Sequence, residues 1–186
     1  MNASLHPYPL CAAVCAIALL TACGTMSSTP RMYSQDSLPE SIKVAAGNKV
    51  AMETVGTGEI MYECRDKANT AGAMEWVFVG PKAVLSDRSG KQVGTYYGPP
   101  ATWEAADGSK ITGTQLAVAP SGTGNLPYQL VKANPAMGSG MMTGVTFIQR
   151  VALKGGVAPA SECSAATKGK REIVKYQADY IFWKAA

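Results

Sequence analysis

Glu104 and Asp107 are the residues whose types and spacing come nearest to a reactive pair. Two carboxylates beside Trp103 have the ingredients of a sugar-cleaving site, in which one carboxyl protonates the leaving oxygen and the other attacks or activates water, the two standing about 5 to 9 Å apart. The same residues have a plainer use. Asp107-Gly108 is a tight-turn dipeptide whose aspartate bonds its own backbone, and Glu104 then faces solvent or pairs with Lys110. The plainer use is the expectation, with a His-free polysaccharide hydrolase as the alternative.

Other reactive groupings are fewer. The single histidine, His6, lies in the N-terminal stretch, so the chain beyond it has no imidazole base, ligand or triad member. Met137, Met141 and Met142 share a Gly-rich loop and carry soft thioethers suited to Cu(I), but without a neighbouring histidine their expected use is packing. No Ser-x-x-Lys stands in a strand-to-helix setting and no Gly-rich phosphate loop follows a strand. No metal or cofactor is expected. Trp76, Tyr96, Tyr97, Trp103 and Tyr128, with Glu104 and Asp107, form a candidate ligand cleft; the commoner use of such aromatics in a β domain is to fill the core.

An address is written more plainly than an activity. Residues 9–20 are an apolar run of about a dozen, too short to span a bilayer, which needs about 20, and suited to the hydrophobic region of a signal peptide. The run ends in Leu20-Thr21-Ala22-Cys23, which resembles the lipobox of bacterial lipoproteins. That resemblance implies cleavage before Cys23, diacylglycerol on its thiol and acylation of the new amino terminus, although residues 1–6 lack the usual Lys or Arg. Several acyl chains hold a protein firmly where one does so only marginally. Gly24 is not the acidic residue that retains such proteins at the inner membrane, so the expected place is the periplasmic side of the outer membrane or the cell surface.

Residues 1–22 are thus read as a signal peptide, 23–41 as a Ser/Thr/Pro/Gly-rich spacer and 42–186 as one domain. All 17 Lys+Arg and 13 Asp+Glu follow Cys23, giving a scattered +4. The one dense basic cluster, Lys168 to Arg171, reads as a loop, and no nucleic-acid face is expected. Cys11 and Cys15 fall in the signal and Cys23 is the lipid site. Cys64 and Cys163 remain, expected as a disulfide in an oxidising compartment, with a redox dithiol as the alternative that lacks the usual C-x-x-C.

The rest alternates with the period of strands. Lys49–Val55 and Glu59–Cys64 flank Gly56-Thr57-Gly58 as a hairpin would, and Cys64 is expected inward beside Tyr62. Segments 73–79, 82–86, 91–97, 102–105, 109–118, 126–133 and 143–153 follow, separated by turn residues. Val145, Phe147, Gln149 and Val151 are placed on one face. Val174, Tyr176, Ala178, Tyr180 and Phe182 alternate with Lys175, Gln177 and Asp179, as in a strand with one wet face. About ten short strands without a sustained helical period predict an all-β, antiparallel sandwich or partly closed barrel.

Several ordered motifs resemble a known family: Trp76-Val77-Phe78, Pro81 to Leu85, Trp103 to Lys110, Ile148-Gln149-Arg150-Val151, Gly155 to Pro159 and Tyr176 to Tyr180. Over residues 39–183 they resemble the domain of unknown function family 3455, found in exported bacterial and fungal proteins. Cys64 and Cys163 stand where that family also carries cysteines. Tyr96 takes the place of a histidine common there, Pro100 and Ala101 are additional, and Leu126-Pro127-Tyr128 replaces a Pro-Trp pair. The family has no established activity. The combined expectation is a lipid-anchored envelope protein, non-catalytic, acting as a binding or structural module toward a glycan, lipid or protein.

Overall fold

The computed structural model describes residue 1 and residues 33–186. Residues 2–32, which hold nearly all of the stretch read as a signal peptide, Cys23 and the first part of the stretch read as a spacer, lie outside the described residues. Eight strands follow in order: β1 (Asn48–Asp66), β2 (Met74–Ser86), β3 (Gln92–Tyr97), β4 (Thr102–Ala105), β5 (Lys110–Ala119), β6 (Tyr128–Ala133), β7 (Val145–Gly155) and β8 (Arg171–Ala185). Each pairs antiparallel with the next, and β8 returns to β1, so one sheet closes into a ring. An eight-stranded ring has an interior just wide enough to be filled by side chains.

Eight strands replace the expected ten because two glycine-containing breaks are not turns. Gly56 and Gly58 lie within β1, whose ladder to β2 runs unbroken from Val55–Ser86 to Met61–Gly80. A Cβ on Gly56 would lie 2.6 Å from the Tyr180 ring, and one on Gly58 would lie 2.7 Å from Ala83 Cβ. The glycines are there so that neighbouring strands and an interior tyrosine can approach. Gly80-Pro81 is likewise inside β2, next to a bulge at Val79.

Two clusters of apolar side chains use the two faces of the sheet. Ile60, Leu85, Trp103, Ile111, Ile148, Tyr180 and Phe182 are among those filling the interior. Ile42, Val44, Ala119, Leu130, Val151, Ile181 and Trp183 form the second, with Tyr33, Leu38 and Phe147 packed on it. β8 contributes to both by alternation, sending Tyr176, Ala178, Tyr180 and Phe182 inward and Ile181 and Trp183 outward. β7 departs from the expected single face. A bulge at Thr146 puts Val145 in the interior cluster, whereas Phe147 and Val151 join the outer one.

The outer cluster exists because residues 33–44 lie across the sheet as a strap. The residues up to 41, assigned by composition to the spacer, therefore already contain packed side chains. Buried Gln149 fastens the strap: its Nε2 donates to the Ile42 carbonyl at 2.7 Å and to Gln35 Oε1 at 3.0 Å, and its Oε1 accepts from Tyr33 Oη at 3.1 Å and Trp183 Nε1 at 2.9 Å. Burial, reinforced by Glu53 and Asp179, pushes the Tyr33 hydroxyl up to about 12, so it stays a donor. Cys64 and Cys163 form a disulfide, Cα to Cα 5.5 Å, tying β1 to the segment before β8.

Candidate functional site

The seven residues grouped by sequence as a cleft divide between the two faces of the sheet. Trp103 is 1% exposed. It lies in the interior, stacked on Tyr96 with ring centres 4.7 Å apart and edge-on to Tyr180 at 5.9 Å. Those two rings are thus core, not cleft, because β4 turns alternate residues Trp103 and Ala105 inward. Tyr128 is half-buried and touches both clusters. Trp76 packs partly against the interior, its Nε1 donating to the Ser161 carbonyl at 2.8 Å.

Glu104, between two inward residues, faces out. It accepts from Tyr97 Oη at 2.8 Å and pairs with Lys110 Nζ at 3.1 Å. Asp107 sits on the β4–β5 turn, where Oδ1 accepts from Ser109 N at 2.9 Å and Ser109 Oγ at 2.6 Å, and Oδ2 accepts from Met141 N at 2.7 Å. The hydrogen bonds from Tyr97 and then Lys110 hold the Glu104 carboxyl below its usual range; those from Ser109 and Met141 do the same for Asp107. A glycosidase needs one carboxyl raised so that it arrives protonated. Neither is, and the shallow hollow touching Glu104, lined also by Gln92, Thr95 and Gly108, does not include Asp107. Met142 fills the core, while Met137 and Met141 lie at the surface.

Two regions remain. One is a groove of about 610 Å³ over the outer face of β1, β2 and β3, lined by Thr57, Glu59, Lys82, Val84, Thr95, Tyr97 and Lys175 among others. Lys175 is paired with Glu59 at its edge, and Lys82 has no ion-pair partner within 4 Å among the described residues. The second region is the interior around Arg150. Gln149 and Val151 belong to the outer side, so Arg150 points inward. It stands opposite Tyr180 in the β7–β8 ladder, and its Nη2 donates to the Pro127 carbonyl at 3.0 Å. Burial raises the hydroxyl pKa of Tyr62, Tyr96, Tyr176 and Tyr180, that of Tyr176 to about 12, and the nearby guanidinium partly offsets this at all four. Tyr62 Oη donates to the Gly156 carbonyl at 2.8 Å, and the Tyr176 and Tyr180 hydroxyls bond to each other at 3.2 Å.

The family model described as "Protein of unknown function (DUF3455)" matches residues 45–184. The chain belongs to that family. No curated protein and no solved structure matches it. The motifs that carry the DUF3455 resemblance lie far apart in sequence, yet Trp103, Arg150, Gly156, Tyr176 and Tyr180 meet inside this one ring. Sequence reasoning had passed over Arg150 and the tyrosines of β1 and β8 as site residues. A signal was present: Arg150 is a charge within the Ile148 to Leu153 run, where an inward residue of a strand should be apolar.

Proposed function

We propose that this DUF3455 protein is a non-catalytic binding module of the bacterial cell envelope, held to the periplasmic side of the outer membrane or to the cell surface by lipid on Cys23. The lipobox-like residues 20–23 support the anchor, and the spacer that follows leaves the domain free to reach a partner. The observation that carries the binding role is the outer groove. It sets the exposed ring of Tyr97 beside Lys82 and Val84 on a rigid sheet, a combination of flat apolar surface and positive charge suited to a sugar face carrying acidic groups. A glycan is therefore the favoured partner over a lipid or a protein.

Two experiments test the two parts. Cys23→Ala should move the protein from the membrane fraction to the soluble one, and unchanged fractionation contradicts the anchor. Tyr97→Ala with Lys82→Ala should abolish retention on purified envelope polysaccharide while leaving the circular dichroism spectrum intact. Equal retention of the double variant and the parent contradicts the groove.

A further inference from the structure

The ring is unevenly closed, and the uneven place leads to Arg150. β4 pairs with β5 only from Thr102–Thr112 to Glu104–Lys110. Beyond Thr112, β5 has β6 on one side and no strand ladder on the other. Partners directly opposite in an antiparallel ladder share a face, and four ladders register Val118 with Gln129, Gln129 with Arg150, Arg150 with Tyr180, and Tyr180 with Thr54. This row runs along the inner face. Its exposure falls from 47% at Val118, through half-buried Gln129 and Arg150, to 0% at Tyr180 and Thr54. The row thus meets solvent at its Val118 end, on the length of β5 that has no second ladder.

At the end of that approach, hydrogen-bond donors outnumber acceptors. Arg150 Nε is buried with no partner, and so is the Nε1 of Trp103, whose ring packs against Tyr96 and Tyr180. The hydroxyls of Tyr176 and Tyr180 bond to each other. Two hydroxyls hold two protons but only one link between them, so the second proton needs an acceptor from outside the pair. No carboxylate lies within 4 Å of Arg150 among the described residues. A half-buried cation without a counter-charge and buried N–H groups without acceptors are each costly.

We propose that the inner face around Arg150 is a binding site for a small carboxylate-bearing molecule, which enters over Val118 and places its carboxylate against the guanidinium. A carboxylate supplies what this environment lacks: one negative charge and two acceptor oxygens in a plane that matches the guanidinium fork. Exposed Val118 and Leu116 offer an aliphatic rim to the body of the molecule. The site lies inside the ring, separate from the outer groove, so it stands or falls independently of the glycan reading.

The test titrates the full-length mature protein with sodium benzoate and, separately, sodium octanoate at constant ionic strength, following tryptophan fluorescence and thermal midpoint. Saturable binding of either acid supports the site. Benzoate alone points to a compact ligand held at the guanidinium, octanoate alone to one laid along the β5 rim. Arg150→Gln should weaken the binding by at least roughly tenfold. Should Arg150→Gln fail to fold, Arg150→Lys carries the same expectation, since it keeps the charge and loses the fork. No saturable response to either acid, binding of inorganic phosphate in their place, or unchanged affinity in the folded arginine variant would overturn the proposal.

Discussion

Where β1 meets β8 the ladder runs from Asn48–Ala185 to Glu63–Arg171, whereas β4 meets β5 over Thr102–Thr112 to Glu104–Lys110 only. The long-stranded side is closed redundantly. It has the Cys64–Cys163 bridge, and Arg88 reaches Glu53 at 2.8 Å and Asp179 at 2.7 Å across its outer face. The short-stranded side replaces ladder with turns and loops, among them Gly108 and the 134–144 connection. The ring thus concentrates regular pairing on one side and irregular connections on the other, and local opening is expected first on the irregular side. The inner aromatic cluster is where the two sides meet.

The largest test of that contrast removes the bridge. Cys64 and Cys163 are 99 positions apart, and cross-linking a loop of that length restricts the unfolded chain by an amount worth about 4 to 5 kcal/mol in the chain-entropy picture. The Cys64→Ala/Cys163→Ala protein should lose most of that in urea unfolding. If its midpoint and slope match those of the oxidised parent, the long side does not depend on its staple.

A smaller effect compares one glycine from each side. A Cβ on Gly58 would fall against the Lys82 carbonyl oxygen and within 2.5 Å of Ala83 Cα, backbone that cannot rotate away. Gly58→Ala should cost about 3 kcal/mol. Gly108, in the β4–β5 turn at φ +84°, has nothing within 4 Å of a new Cβ, so Gly108→Ala carries only the left-handed penalty of about 1 kcal/mol. Equal costs by urea unfolding would mean that the two sides are packed alike.

The same glycines mark how far the chain was legible. The alternation Val174 to Phe182 reads directly as an inner and an outer face, because a period of two needs only local information. Gly56-Thr57-Gly58 reads locally as a turn, since the groups it makes room for, Ala83 and Tyr180, are distant in sequence. Trp103 is open to either use, core or cleft, for a similar reason: a four-residue strand between a proline break and a tight turn is too short to say which face is inside. Arg150 escaped as a site residue because inward strand positions are expected to be apolar. Bulges at Thr146 and near Ala152, the latter at φ 49°, displace the faces of β7 in ways that a fixed period does not foresee. The cysteine pair was accessible from counting alone. What stayed hidden was whatever depended on the residue opposite.

The smallest expected effect concerns the carboxylate that stands in for ladder on the short side. Asp107 ties the β4–β5 turn to the next loop through Met141 N, while Ser109 Oγ accepts from the N–H of buried Met142. A Cβ on Gly140 would run into the Asp107 carboxyl, with every carboxyl atom within 2.8 Å, so the loop is drawn close against it. The bonds from Ser109 first, then from the Met141 and Ser109 backbone, hold this carboxyl below its unfolded value. A group whose folded pKa is depressed adds stability above its unfolded pKa and loses it as pH falls through the folded one. Asp107→Asn removes the charge and turns an amide N–H₂ toward a backbone donor. The thermal midpoint of the variant should therefore lie slightly below that of the parent near neutral pH, and the gap should close as the medium is acidified through the carboxylate range. A gap that stays constant with pH would mean that the turn is held by Ser109 and backbone geometry, with the charge of Asp107 contributing nothing.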